Sequence, residues 1–485
     1  MSSPEEDPLL LAYMASPDPD VTLREQLAAV IDARRREPAV SVPRQPGDPL
    51  RLFLAGYAGA GNAGSDIRVA EMIRQFDHVF DGKARMVLSV LDPRLVEATP
   101  PSVTLQDLVF LPRFLPAQIA QCDVAVACEG SMFKDNFSDA ISLTMLGTLG
   151  LGVCEGKLTV GYGAEAGALS PEMESFAREY CRGALITCRN DSSQRRVEAL
   201  GLRAAPGSDT AWTYEPARPA LAHDLLRQAG WDGAAPVVTV CPVNPYWWPV
   251  RPDAAKYEAW MKDGSHGDYH YGFFYFHNDS AEAARLMSEY LSALAGAVGT
   301  YVRETGAFPV IIGMDKVDRV ACRDLAALEP MRKAPIFARP EVPSAHLVAL
   351  LRQSSVLISS RFHAIVCSMP AGVPAIGVSY DERIDNLLGE SGSKEWVLRV
   401  DDPALGEQLL QRLRRLDPAQ AAERARRTAS ENLRRLGEMT KLFAAEVSRI
   451  HPDCGRRDLG GNWDAYLPAL SPTLRDLLNT YPPGS

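Results

Sequence analysis

Apolar residues along most of this chain fall in short, nearly continuous runs and do not alternate with polar ones. Such runs occupy 51–57, 84–91, 123–128, 158–162 and 184–188 in the first half, and 236–243, 309–314, 356–360 and 374–378 in the second. Each is bounded by Gly, Pro or Asp. A strand apolar on both sides is covered on both faces, which is the condition of a parallel strand. Between the runs lie stretches with helical spacing. The alternation predicts α/β architecture with parallel sheets, in two such units separated near 215–235. The expected organisation is a helical leader and Pro-rich linker over 1–49, a first unit over 50–220, a second over 221–401, and a charged helical segment over 402–485 that packs across both.

Residues 244–280 break the pattern. They read NPYWWPVRPDAAKYEAWMKDGSHGDYHYGFFYFHNDS, dense in aromatics, His and Gly without clear periodicity. A loop of this length inside a compact domain is usually functional. Two readings stand: an insertion that buries its own aromatics, or a platform on which sugar rings pack, with Trp247 and Tyr269 as candidates.

The chain has 485 residues, more than one ordinary core organises, so two domains are expected. Apolar content of 46% and charged content of 23% are those of a packed protein. A net charge of −10 argues against a general nucleic-acid binder, which needs a basic face. No run approaches the length of a membrane span. The opening MSSPEEDPLL lacks the basic and apolar regions of a signal peptide. The nine Cys show no CxxC pair and no metal-ligand spacing with His, so buried, reduced thiols of a cytoplasmic protein are expected. No metal site is expected.

Two segments carry candidate chemistry. The first, Gly56-Tyr57-Ala58-Gly59-Ala60-Gly61-Asn62-Ala63-Gly64, follows the first strand and precedes a helix starting near Ser65 or Asp66. Glycines permit close backbone approach, and a helix N-terminus presents free N–H groups. Gly59, Gly61 and Gly64 also spell G-x-G-x-x-G, but no acidic residue ends the second strand, since Asp81 precedes it and Asp92 comes late. A tight turn alone is the plainer alternative. The second segment is Ser359-Ser360-Arg361-Phe362-His363-Ala364 followed by Gly372-Val373-Pro374-Ala375-Ile376-Gly377-Val378-Ser379-Tyr380-Asp381. Here a strand ends in polar residues and a helix begins at Arg-x-His. The carboxyl ends of strands are where ligands bind in open α/β sheets. Arg and His together make a local cationic site in an acidic protein.

These segments resemble the polysaccharide pyruvyl transferase family. Ser360, Arg361, His363, Ala364, Gly372, Val373, Pro374, Ile376, Gly377, Tyr380 and Asp381 match its closing motif; Gly56, Tyr57, Gly59, Gly61, Asn62 and Gly64 match its opening one. Arg189, Ser193, Leu200 and Gly201 echo a middle motif, and Asp209 sits where the family often has an Asp before a small apolar pair. Ser65 stands where the family often has Asp, with Asp66 next. Asn190 replaces an Asp, with Asp191 next, and Arg383 replaces a Lys. The resemblance implies a GT-B-like pair of Rossmann-like domains with the active site in the cleft between them. It implies transfer of the enolpyruvyl group of phosphoenolpyruvate onto sugar hydroxyls of a glycan or glycan precursor, as in exopolysaccharide or cell-wall glycan biosynthesis. A ketal forms and phosphate leaves.

On that resemblance Arg361, Arg189 and Ser360 would bind the donor, because guanidinium matches phosphate and carboxylate alike. His363 would protonate the methylene carbon or steady the leaving phosphate, and Asp66 or Asp191 would act as base. Gly59, Gly61, Asn62, Tyr380, Asp381, Trp247 and Tyr269 would meet the acceptor. Phosphoenolpyruvate is then a co-substrate, and no cofactor is implied. The acceptor is a sugar or a lipid-linked sugar; the latter would bring a cytoplasmic enzyme into peripheral contact with the inner membrane face. Nothing in the sequence specifies an oligomeric state. Two alternatives remain. Glu382 and Glu390 have the E-x7-E spacing of some GT-B glycosyltransferases that use nucleotide sugars, and a sugar- or anion-binding module without catalysis would keep the same fold.

Overall fold

The computed structural model describes residues 7–39, 43–97, 99–455 and 459–482. The first six residues and part of the Pro-rich linker lie outside the described residues.

The first sheet has seven parallel strands: β1 Leu50–Ala58, β2 Ala84–Val90, β3 Val103–Asp107, β4 Val124–Ala127, β5 Leu158–Ala164, β6 Leu185–Cys188 and β7 Arg203–Pro206, in the order β3-β2-β1-β4-β5-β6-β7. The second unit begins with β8 Val237–Cys241. A small antiparallel sheet follows, made of β9 Arg251–Pro252, β10 His270–Gly272 and β11 Tyr275–Phe276. Then come β12 Phe308–Gly313, β13 Ile336–Ala338, β14 Val356–Ser359, β15 Ala375–Ser379 and β16 Val397–Arg399. The second large sheet runs β13-β12-β8-β14-β15-β16, all parallel.

Numbered from its own first strand, each sheet has the Rossmann order 3-2-1-4-5-6, with a seventh edge strand in the first. The two α/β units expected from the apolar runs are therefore present, as a GT-B-like pair of Rossmann-like domains. All nine runs are strands. The runs bury both faces: β4, β5, β6 and β8 have no exposed residue. Pattern reading missed the edge strands β3, β7, β13 and β16, which are short and carry exposed positions.

Helices cover each sheet on two sides. Leu23, Leu27 and Ile31 of the helix Pro19–Arg36 pack into the first unit's core with Leu146 and Leu149 of Asp139–Cys154. On the opposite face lie the helix Ala63–Val79 and the long helix Pro418–Ile450, whose Leu436, Met439, Phe443 and Val447 meet β1, β2 and β5. The same long helix gives Ala425, Ala429 and Leu433 to a cluster that joins the two units, with Ala63, Ile67 and Trp212 from the first and Phe362, Ile365 and Leu387 from the second. Eight of the nine free cysteines are buried. No helix of the described residues is long and apolar enough to cross a membrane.

The 244–280 stretch buries Phe274, Tyr275 and Phe276. It does so partly against the first unit. The Tyr275 hydroxyl donates to Asp20 (2.7 Å) and lies 2.8 Å from the Tyr13 hydroxyl, while Arg251 reaches Asp20 and Asp139. Burial lifts the Asp20 carboxyl to about 6.

Candidate functional site in the cleft between the units

The loop after β1 is the first wall of the cleft. Gly59 and Gly61 take φ of +74° and +77°, where a side chain is strained. A Cβ on Gly59 would collide with the Asp92 backbone. Asn62 caps the helix Ala63–Val79: its Oδ1 accepts the Ser65 N–H (3.2 Å) and its Nδ2 donates to Asp315 (2.7 Å). The Ala63 N–H donates to the Met314 carbonyl (2.8 Å), and the Lys316 N–H to that of Gly61 (3.0 Å). The loop is thus sewn to the end of β12, with the Ala63 and Ser65 N–H groups at its helix start already used. The glycine spacing serves this close contact between units, which the dinucleotide reading did not foresee.

The second wall starts where β14 ends. Ser359 Oγ accepts the Arg361 N–H (2.9 Å) and turns the chain into the helix Phe362–Ser368. The Arg361 Nε donates to Asp318 (2.8 Å), its Nη2 also bonds Asp318, and Asp315 lies 3.5 Å away. Its Nη1 has no hydrogen-bond partner among the described residues. Ser360 Oγ sits 2.8 Å from the Tyr290 hydroxyl. His363 Nε2 lies 3.3 Å from Asp209 Oδ2, and toward a carboxylate it can only donate. The other ring nitrogen, Nδ1, therefore faces Gly64, where any Cβ would overlap the imidazole.

Asp209 organises what surrounds His363. It pairs with Arg68 Nε (3.1 Å) and Arg189 Nη1 (2.9 Å). Arg189 also donates through Nε to Glu165 (2.5 Å) and lies over the Phe362 ring at 4.2 Å. Its Nη2 is buried without a hydrogen bond among the described residues. Glu165 collects Asn190 and Asn386 amides (both 2.8 Å) and Ser193. Glu129, after β4, accepts the Ser65 hydroxyl (3.0 Å) and lies 3.5 Å from Arg68. Buried Lys134 bridges Asp381 (3.2 Å) and Glu382 (2.6 Å), and Arg383 binds Asp381 and the Tyr380 hydroxyl, both at 2.7 Å.

Burial and charge set the protonation states. Burial alone would raise the Asp209 carboxyl, yet Arg68, His363 and Arg189 hold it well below the ordinary carboxylate range. Burial would likewise raise Glu165 and Asp381, but cationic neighbours hold both low. His363 is pushed down by burial, with Asp209 opposing, so the imidazole is neutral at neutral pH. Burial lifts Asp66 to about 7 despite Arg339 at 3.1 Å.

The site residues expected from the sequence divide into groups. His363 and Arg189 converge on Asp209, with the Phe362 ring under the Arg189 guanidinium. Arg361, Ser360, Asn62, Gly59 and Gly61 lie on the β1–β12–β14 side. Tyr380 and Asp381 join the Lys134 cluster. Asp66 is turned to Arg339 on the seam between units. Asp191 is exposed, 3.4 Å from Arg435, at the rim of a pocket of about 280 Å³ whose lining includes Arg189, Asp209 and Phe362. Trp247 and Tyr269 line a separate pocket of about 230 Å³. Glu382 and Glu390 are engaged in holding the units together, the first by Lys134 and the second by accepting the Asp191 N–H (2.8 Å).

Sequence reading missed Arg68, Lys134, Glu165, Lys316 and Asp318. Arg68 sits inside the helix Ala63–Val79, Asp318 opens the helix Asp318–Ala327, and Lys134, Glu165 and Lys316 lie in connections with no motif around them. Lys316 is notable because its stem packs on Gly61 while its ammonium makes no hydrogen bond or close ion pair among the described residues and bears on Asp92 by its charge alone. Its charge and that of Arg361 both bear on His277.

Residues 156–382 match the family model "Polysaccharide pyruvyl transferase". The match spans β5 to the start of the helix Glu382–Glu390 and so includes Glu165, Arg189, Asp209, Arg361, His363 and Asp381. The pyruvyl transferase resemblance read from the motifs is thereby shown for this segment, and the family is one of transferases. No curated protein matches the chain. Among solved structures, UDP-GlcNAc 2-epimerase from Neisseria meningitidis aligns at 9% identity and a TM-score of 0.46, over 82% of this chain and 100% of that one. The Thermobaculum terrenum O-GlcNAc transferase aligns at 14% identity and a TM-score of 0.43, over 92% and 76%.

Proposed function

We propose that the chain transfers the pyruvyl group of phosphoenolpyruvate to two hydroxyls of a sugar acceptor, forming a cyclic ketal and releasing phosphate. The observation that carries this reading is the placement of His363 between Asp209 and Gly64, with Arg68 and Arg189 on the same carboxylate. Asp209 fixes the tautomer and leaves Nδ1 as the working atom. In the neutral imidazole that nitrogen has no proton to give. A bound dianionic phosphate adds negative charge nearby, raises the imidazole's proton affinity and lets Nδ1 carry the proton that goes to the methylene carbon.

Protonation of that carbon makes the adjacent one an oxocarbenium-like centre. One acceptor hydroxyl attacks it and loses its proton to a base. The C–O bond to phosphate then breaks, phosphate leaves, and the second hydroxyl closes the ketal as its proton is lost. The double bond and one C–O bond are consumed, and two C–O bonds form. Arg361 through Nη1, Arg189 through Nη2 and the Lys316 ammonium are the open cationic groups for the phosphate and carboxylate. Glu129 is the best-placed base, since it touches Ser65 and Arg68 beside the His363 cluster, whereas Asp66 is held by Arg339 and Asp191 stands at the rim. Fixed dipoles and charges inside a largely buried cluster supply most of the rate in such a scheme.

The test is phosphate release from phosphoenolpyruvate by purified protein with a panel of sugar acceptors. Acceptor-dependent release that Arg361→Ala abolishes supports the reading. Release from a nucleotide sugar, with none from phosphoenolpyruvate, would replace it with glycosyl transfer.

A further inference from the structure

The 230 Å³ pocket lies between the 244–280 insertion and the helices Ala281–Thr305 and Asp318–Ala327. It is smaller than the usual several-hundred-Å³ pocket of a cofactor-sized ligand. The Trp247 and Tyr269 rings form one side, with centroids 5.9 Å apart and planes at 60°. Asn244, Ser288, Asp279 and Asp324 supply polar groups, and neither Lys nor Arg lines it.

The polar groups of this wall include buried Asn244 and half-buried Tyr269, while Ser288 and Asp324 are exposed and open to solvent or a ligand. Asn244 uses Oδ1 on the Tyr246 N–H (3.1 Å), and its Nδ2 has no partner among the described residues. The Tyr269 and Ser288 hydroxyls and the Asp324 carboxylate have none either. Burial raises the Asp324 carboxyl, with only the charge of Arg323 opposing. A donor, an acceptor and two hydroxyls beside an aromatic wall suit a ligand whose hydroxyls both give and accept and whose C–H faces are apolar. Asp279 is ion-paired with Lys256 (2.8 Å), so Asp324 is the carboxylate left at the pocket to disfavour phosphate and carboxylate.

We infer that this pocket is a second sugar subsite, which holds a neutral residue of the acceptor away from the one that is modified. The inference rests on the reading above in taking the acceptor to be a glycan. The pocket is tied to the cleft by a chain of rings. Trp247 stacks on His277 (4.8 Å), His277 meets Tyr271 edge-on (5.3 Å), and Tyr271 stacks on Tyr57 (6.0 Å) in the first wall of the cleft. The Tyr271 and Tyr57 hydroxyls are also hydrogen-bonded. An acceptor seated in the pocket is therefore referenced to the catalytic loop through packed aromatics.

Ala284 is an exposed helical residue at the pocket, so Ala284→Trp fills the space without entering the core. Saturation-transfer NMR on the full chain, without phosphoenolpyruvate, would use lactose, cellobiose, maltose and chitobiose as probes. The expected result is transfer to at least one disaccharide, reduced at least fivefold in both Ala284→Trp and Tyr269→Ala, with the Ala284→Trp melting temperature unchanged. Absence of transfer to all four sugars, or equal transfer in Ala284→Trp, overturns the proposal. Sugar binding that depends on position 284 in a protein that releases no phosphate would keep the subsite and sink the pyruvyl transfer reading. Acceptor-dependent release without such binding would do the reverse.

Discussion

The two units share one strand order and differ in the connection that leaves their first strand. In the first unit, β1 passes through Gly59 and Gly61 straight into the helix Ala63–Val79. In the second, the chain runs from β8 through 244–280 before the helix Ala281–Thr305 begins. The shared order opens a crevice at the same point of both sheets, between the first and fourth strands. The short glycine turn lets the backbone and His363 approach within contact. The long connection builds a wall of rings with its own pocket. Topology thus decides where ligands gather, and the connection after the first strand decides what is held there.

The comparison breaks most sharply at His363, where the units touch. His363→Ala should cut the rate of phosphoenolpyruvate-dependent phosphate release about 10²–10⁴-fold. Stabilisation of the protein by phosphoenolpyruvate in a melting assay should persist. Retention of the full rate would remove His363 from the reaction.

Asp209→Ala should come next, through stability. It leaves Arg68 and Arg189 without their shared carboxylate in a buried place, which costs about 3–5 kcal/mol. Because the folded carboxyl is held below its unfolded value, its contribution is present above about pH 4 and is lost as pH falls further. Denaturant titrations should show the gap between wild type and variant closing on that acidic side. A constant gap across pH would mean that packing, not charge, is being lost.

Asp66→Asn tests the seam in the opposite sense. The Asp66 carboxyl is raised to about 7, so its favourable contribution is complete below the unfolded value near 4 and disappears as pH rises toward 7. In that window the variant should lack a decline of up to about 1.4 kcal/mol per pH unit. Parallel stability curves for the two proteins would contradict the assignment.

The smallest effect compares one glycine from each unit. Gly64→Ala must displace the His363 ring and should cost about 1–3 kcal/mol, with loss of activity. Gly296 lies within the helix Ala281–Thr305 of the second unit, with open space where its Cβ would go. Gly296→Ala should stabilise by about 0.4–1 kcal/mol and leave the rate alone. Thermal melts of the pair settle the sign.

Much of this was legible in the linear chain. A strand buried on both faces has to be apolar throughout, so the central strands announced themselves. Edge strands need bury only part of their surface, and β3, β7, β13 and β16 carry no such mark. The Gly-rich turn and Arg361-Phe362-His363 were visible because their residue types are unusual where a strand gives way to a helix. The sequence alone determined those strands and that turn. Only the tertiary structure decided that Asp209 orients His363, that Asp318 takes part of Arg361, and that Lys316 comes to Gly61. Those pairs join residues far apart in the chain. Their chemistry arises when two sheets of the same topology turn their carboxyl edges toward each other and remove water from between them.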